Sequence, residues 1–294
     1  MKEQLALISL QLIGFLPLRL ARFLGCALGF VMKIIAAKPY RVAKLNIAAC
    51  LTELDEESIQ ALACQRMLHL GQTLFETPGL WRQSPVWLAS KILSVEGEAL
   101  IQEALDSDSG TVVLVPHQGN WEVLGLWLAD RTQTTSLYQP PKMRNLENMI
   151  KSARQSTGAK LVPTNTRGVA ALIKALKQGE TTAILPDQQP ATNGGSFAPL
   201  FGIQTLTMTL PHNLLKRSTC RVVFGCALRE AGGWRLHFID PAQQIYSTDQ
   251  AASLEAMNSG IEAIAALAPE QYQWEYKRFR ARPEGSPAIY PNGI

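Results

Sequence analysis

From Thr111 onward the chain alternates short apolar runs with longer helical stretches, and this alternation constrains its fold more than any other feature. TVVLV is followed by a helical stretch over 121–130, TTSLYQ by one over 144–157, and AKLVPT by one over 167–178. TTAIL then leads through a loop to a helix over 207–217. CRVVFGCALRE and WRLHFID read as paired strands around the turn AGG, and a last helix spans 251–267. Upstream, residues 56–75 carry apolar residues at helical spacing, including Leu62, Met67, Leu70 and Leu74. Strands separated by helices must be joined by crossovers. The chain is therefore expected to be α/β, with a largely parallel central sheet, flanking helices, and ligands at the carboxyl ends of the strands. Its 294 residues suffice for one large α/β domain or two small ones, with a substantial core.

Four polar residues fall at strand ends: His117, Gln139, Thr164 and Asp187. The run PHQGNWE, closing the strand TVVLV, carries the most chemistry. Gly119 allows a tight turn and Asn120 is a good helix N-cap, so His117 belongs to a strand-to-helix turn and Glu122 to the first helical turn. Across such a turn the two side chains can converge, giving an imidazole general base oriented by a carboxylate. The plainer alternative is that Asn120 and Glu122 only cap a helix and favour its dipole, which leaves His117 without a role. Asp187 follows TTAILP as His117 follows TVVLV and its proline, and it too has a plain reading as a turn or cap residue. His69, His212 and His237 read as structural. The sequence has no G-x-S-x-G elbow, no P-loop and no G-x-G-x-x-G, so serine hydrolase, nucleotide kinase and dinucleotide enzyme lack support.

The formal charge of +4 hides an uneven distribution. Residues 1–50 carry seven Lys/Arg against one acid, residues 51–110 ten acids against three bases, and residues 141–177 eight bases against Glu147 alone. Basic blocks of this kind suit anionic partners. Five cysteines, an odd number with no C-x-x-C, give neither a zinc spacing nor a disulfide framework and point to a reducing compartment.

Only 18% of residues are charged, below the usual quarter, and the N-terminus accounts for much of the apolar excess. Leu5–Leu18 is free of charge, Arg19 and Arg22 interrupt, and FLGCALGFVM resumes. The run is short for a transmembrane helix and lacks a cleavage site for a signal peptide. Residues 1–37 are expected to form a membrane anchor followed by an interfacial helix, with a buried core hairpin as the alternative. Lys33, Lys38, Arg41 and Lys44 would hold the flank at the cytoplasmic face. Residues 38–294 would then be the catalytic domain.

These residues resemble a known family. H-Q-G-N-W-E fits the H-x-x-x-x-D/E motif of glycerolipid acyltransferases and is similar to the form found in the late lipid A acyltransferases of Gram-negative bacteria. PYRVAKLNIAAC, DQQPATNGGSFAPLFG and WEYKRFRARP resemble further segments of that family, so the likeness covers nearly the whole chain. It implies a glycerol-3-phosphate-acyltransferase-like fold at the cytoplasmic side of the inner membrane. The implied reaction moves a fatty acyl chain from acyl carrier protein to a hydroxyl of a lipid A precursor. The implied partners are that carrier, the lipid A precursor and the phospholipid membrane, with no nucleic acid, metal or cofactor beyond the acyl donor. His117 and Glu122 become the catalytic pair; Arg154, Asp187, Asn120, Lys142 and Arg167 become the candidate substrate-binding residues. Two other readings stay open: an acyltransferase for another lipid, and a non-catalytic lipid-binding protein.

Overall fold

The computed structural model describes residues 2–139, 147, 151 and 158–291. At its centre is a five-stranded sheet in the order β1 (Ile92–Glu96), β9 (Gly233–Ile239), β8 (Cys220–Glu230), β2 (Gly110–Leu114), β5 (Thr181–Ile184). β2 runs parallel to both β8 and β5, and β1 parallel to β9, but β8 and β9 form an antiparallel hairpin. The sheet is therefore mixed rather than largely parallel. The short AGG turn permits only an antiparallel return. A parallel ribbon of β3 (Thr135–Tyr138) and β4 (Lys160–Pro163) adjoins β5 through a bridge from Thr134 to Thr181.

All five residues of β2 are buried, because helices cover both faces of the sheet. Alternate side chains feed separate cores. Val112 and Leu114 join one with Val222, Phe224 and Cys226 of β8; Val113 and Val115 join the other with Val223 and Ala227. The first core is closed by α3 (Lys38–Cys50), α4 (Glu56–Leu80), α8 (Thr166–Lys177) and α10 (Gln250–Leu267); the second by α5 (Pro85–Ala89), α6 (Glu98–Leu105) and α7 (Trp121–Arg131). Side-chain oxygens of Asp55, Asn165 and Asp249 cap α4, α8 and α10.

The helix expected over 207–217 is shorter than read, because its first residues belong to a hairpin. β6 (Gly195–Leu200) pairs with β7 (Ile203–Met208) around Phe201 and Gly202, both at positive φ (51° and 71°), and α9 covers only Leu210–Leu215. Positive φ at both central residues is what a right-twisted two-residue hairpin requires. The expected helix over 144–157 lies outside the described residues.

The N-terminal segment forms α1 (Lys2–Ile13) and α2 (Leu18–Ile34), neither long and apolar enough to cross a membrane alone; α2 and α3, bent by 78°, pass that test as a pair by length and composition. α2 lies flat against α4. A Cβ at Gly25 would meet the Gly71 carbonyl oxygen, and one at Gly29 would meet the Met67 backbone, so the two helices touch through main chain. The other face of the hairpin is bare: Leu12, Phe15, Phe23, Phe30, Ile34 and Ile35 are exposed, Phe23 by 69%. The face of α2 against α4 is the one that the core-hairpin alternative describes.

Candidate active site

In the β2–β5 pair, Leu114 sits opposite Ile184. His117 and Asp187 each lie three residues further on, past a proline, so equal offsets from one register bring them together at the carboxyl ends of adjacent parallel strands. The Asp187 carboxylate takes both donors of the histidine: Oδ2 accepts the backbone N–H at 2.8 Å and Oδ1 meets Nδ1 at 2.7 Å. A carboxylate can only accept, so Nδ1 carries the proton and Nε2 presents its lone pair. Asp187 is buried, which alone would raise its pKa, but His117 holds it below the ordinary carboxylate value. The same carboxylate, after burial, pushes the Tyr272 phenol well above its usual range.

The motif turn is fixed on every side. Gly119 has φ +61° and a Cβ there would strike the Ala227 carbonyl, so this position requires glycine. Its N–H donates to the Gln271 carbonyl (3.0 Å), the Asn120 N–H to Ala227 (2.9 Å), and the Gln273 N–H to the His117 carbonyl (3.0 Å). The Trp121 ring stands edge-on to the imidazole, centroids 4.8 Å apart. At Nε2 the Gln188 amide donates at 3.1 Å while also bonding Gln273 Oε1 at 3.0 Å.

The carboxylate on Nδ1 is therefore Asp187, where the five-residue spacing had suggested Glu122. Glu122 sits in the first turn of α7, accepts the Trp81 indole N–H at 3.1 Å, and lines a cleft between α7 and the β3–β4 ribbon. Asn120 occupies the N-cap position, but its side chain makes no cap; it is fully buried and donates to Glu76 at 3.0 Å. Arg167 is exposed on the first turn of α8, away from the motif turn in sequence, its backbone N–H capped by Asn165. Lys142 and Arg154 lie outside the described residues. Sequence reading missed Gln188, Gln273, Trp121 and Asn46. Asn46 donates to the carbonyls of Trp274 (2.6 Å) and Tyr276 (2.7 Å) and so holds the C-terminal segment beneath the site. The adjacency of Gln188 to Asp187 and of Trp121 to Glu122 was the available signal.

Glu76 anchors a second buried cluster. Its oxygens accept from Arg22 Nε (2.6 Å), Arg229 Nε (2.8 Å), Arg229 Nη2 (2.7 Å) and Asn120. Arg22 reaches there from α2 and also donates to the carbonyls of Glu230 and Gly233, which ties the N-terminal hairpin to the sheet. His69 accepts from Arg229 at 3.0 Å; burial, with Arg229 adding, pushes its pKa down to about 3.

A histidine held in one tautomer by a buried carboxylate, at the carboxyl edge of an α/β sheet, has the geometry of a general base. The chain belongs to the bacterial lipid A biosynthesis acyltransferase family, whose model matches residues 2–281. It is 29% identical to the lipid A biosynthesis palmitoleoyltransferase of Escherichia coli (strain K12), over 94% of this chain and 90% of that protein. To the lipid A biosynthesis lauroyltransferase of the same organism it is 24% identical, over 96% and 92%. To the myristoyltransferase it is 22% identical, over 83% and 76%.

Proposed function

We propose that this protein transfers a fatty acyl chain from the thioester of acyl carrier protein to a hydroxyl of a lipid A precursor, with His117 as general base. The observation that carries this reading is the His117–Asp187 pair, which leaves Nε2 as an acceptor at the strand ends. As the acceptor oxygen attacks the thioester carbonyl, Nε2 takes its proton and Asp187 stabilises the imidazolium. The tetrahedral intermediate collapses with loss of the carrier thiolate, which takes the proton back from His117 and leaves as the thiol. The Gln188 amide, which occupies Nε2 in the free protein, yields it to the acceptor hydroxyl and can then hydrogen-bond the developing oxyanion. Glu122, one residue beyond the Trp121 that touches the imidazole, adds a second carboxylate beside the cleft.

Family membership supports the lipid A precursor as acceptor. Arg167, Lys174 and Lys177, exposed along α8, offer cations to an acidic carrier protein. The apolar outer face of α1–α2 and the exposed Lys38 and Arg41 beside it suit a protein seated on the cytoplasmic face of the inner membrane. Lys44 contributes less, since it is paired with Glu56 at 2.7 Å.

The test is His117→Ala in purified full-length protein, with acyl transfer to the lipid A precursor followed by mass spectrometry. A loss of about a hundred- to ten-thousand-fold is expected, the usual worth of a general base, in a protein that is still folded though less stable for the loss of the buried pair. Near-normal transfer by that variant would sink the mechanism. Transfer by the wild type only to another lipid class would move the acceptor assignment.

A further inference from the structure

We propose that the protein carries a binding site for one anionic phospholipid, in the pocket between the α1–α2 corner and the C-terminal end of α4. This rests on the membrane-seated reading above and not on the acyl-transfer chemistry. Leu16 and Leu18 wall the pocket from the corner, Phe75 and Leu80 from α4, and Trp87 from α5. Its volume is about 410 Å³, within the span of small-molecule sites, and its lining is mostly apolar. It shares no lining residue with the cleft beside Glu122, and neither His117 nor Gln188 lines it. Phe15, at the mouth, is exposed and belongs to the bare apolar face of the hairpin. A lipid of the membrane under that face therefore reaches the pocket without its chains crossing water.

The charge at this pocket is unbalanced. Arg19 and Lys91 line it and have no acidic partner among the described residues; Lys91 lies over the Trp87 ring, 5.9 Å from its centroid. Glu76 is the one acid in the lining, and Arg22, Arg229 and Asn120 already occupy its oxygens. Helix α2 also begins here: Pro17 stands at its N-cap with no side-chain cap, and no acid follows in the first turn. The positive end of that helix adds to the two unpaired cations. Apolar walls under an uncompensated cationic mouth fit acyl chains below a phosphate, whereas a zwitterionic headgroup would leave the charge unmet. Gly79 lines the pocket as well, and a Cβ there would meet nothing nearer than the Gly14 carbonyl at 3.9 Å. A larger side chain at that position can fill the pocket without displacing backbone.

The experiment is native mass spectrometry of the full-length protein in detergent, titrated with phosphatidylglycerol or with phosphatidylcholine of the same chains. One phosphatidylglycerol should be retained per protein, and phosphatidylcholine should bind more weakly. Arg19→Gln and Lys91→Gln should each weaken phosphatidylglycerol roughly fivefold and leave phosphatidylcholine unchanged. Gly79→Leu, which fills the pocket, should weaken both lipids. Equal retention of the two lipids, or binding that ignores Gly79→Leu, overturns the proposal. His117→Ala should bind phosphatidylglycerol as the wild type does; a loss there would put the lipid in the active site and overturn it too. Glycerol 3-phosphate in excess should not displace the lipid, and displacement would reduce the pocket to an anion site without chains. Because binding is read without turnover, a wild type that transfers no acyl chain sinks the acyl-transfer reading and leaves this site standing. Failure of the wild type to bind phosphatidylglycerol vesicles sinks the membrane-seated reading and the lipid source with it. Vesicle binding together with indifference to Arg19, Lys91 and Gly79 sinks the site alone.

Discussion

Two of the carboxylates that the protein buries, Asp187 and Glu76, are built to different ends. Both have pKa values held below the ordinary range against the opposing effect of burial, Asp187 by His117 and Glu76 chiefly by Arg229 and then Arg22. Glu76 faces two guanidinium groups and an amide, none of which gives up a proton near neutrality, and its oxygens are saturated. Asp187 faces an imidazole whose far nitrogen looks outward to Gln188. The first arrangement can only hold shape, whereas the second can pass a proton. Burial and charge alone do not distinguish them; the partner does.

That contrast is open to attack at three places. The largest effect should come from Asp187→Asn. An amide cannot accept from both the Nδ1–H and the backbone N–H of His117 without presenting its own N–H to one of them, so the imidazole loses its tautomer and its charge support. Acyl transfer should fall by roughly a hundred- to ten-thousand-fold while the protein stays folded, with a melting temperature lowered only by the loss of this one buried pair. Outright unfolding would make Asp187 a structural residue like Glu76.

Glu76→Ala should do the reverse. It strands Arg22 and Arg229 without their counter-ion and should cost about 3–5 kcal/mol of stability, read by denaturant unfolding. Residual folded protein should keep the pH profile of the wild type, since the proton path is untouched. A normal unfolding midpoint with lost activity would reverse the assignment of the two sites.

The smallest effect is a pH dependence of stability. His69 titrates near 3 when folded against 6.5 when unfolded, so between those values the unfolded chain binds the proton that the folded chain refuses. Stability from this group is complete above 6.5 and declines as the pH falls toward 3. The depressed carboxylates act lower. The stability that Glu76 and Asp187 contribute is present above their ordinary values of 4.5 and 3.8 and is lost as the pH drops through their folded values. His69→Gln should therefore flatten the melting-temperature slope between pH 6.5 and 4.5 and leave the steeper acid step in place. An unchanged slope in that window would show that burial, with the Arg229 contact adding, does not keep His69 neutral.

Much of the fold and half of the pair were legible in the sequence. The runs TVVLV and TTAIL, each closed by a proline and a polar residue, placed His117 and Asp187 at strand ends. Their meeting was not legible, because it depends on β2 and β5 being neighbours in a given register, a relation between segments 70 residues apart. Local spacing favoured Glu122 instead, but the turn at Gly119 sends that side chain into α7's first turn, toward Trp81. The β6–β7 hairpin escaped notice because its turn is Phe201–Gly202, where the familiar signal is Asn-Gly. The mixed sheet followed from the AGG turn already seen; the missing piece was β1, whose parallel pairing with β9 has no local mark.

The segment from Gln271 to Gln273 closes the motif turn, and Arg278, beneath Asp187, is pinned by the Leu206 carbonyl at 2.7 Å. A ribosome delivers that stretch only after every strand of the central sheet. A nascent chain halted at Leu267 already contains His117 and Asp187, but not the strand-like frame that seats the turn between Ala227 and Gln271. A chain stopped there lacks the backbone contacts that hold His117 in place.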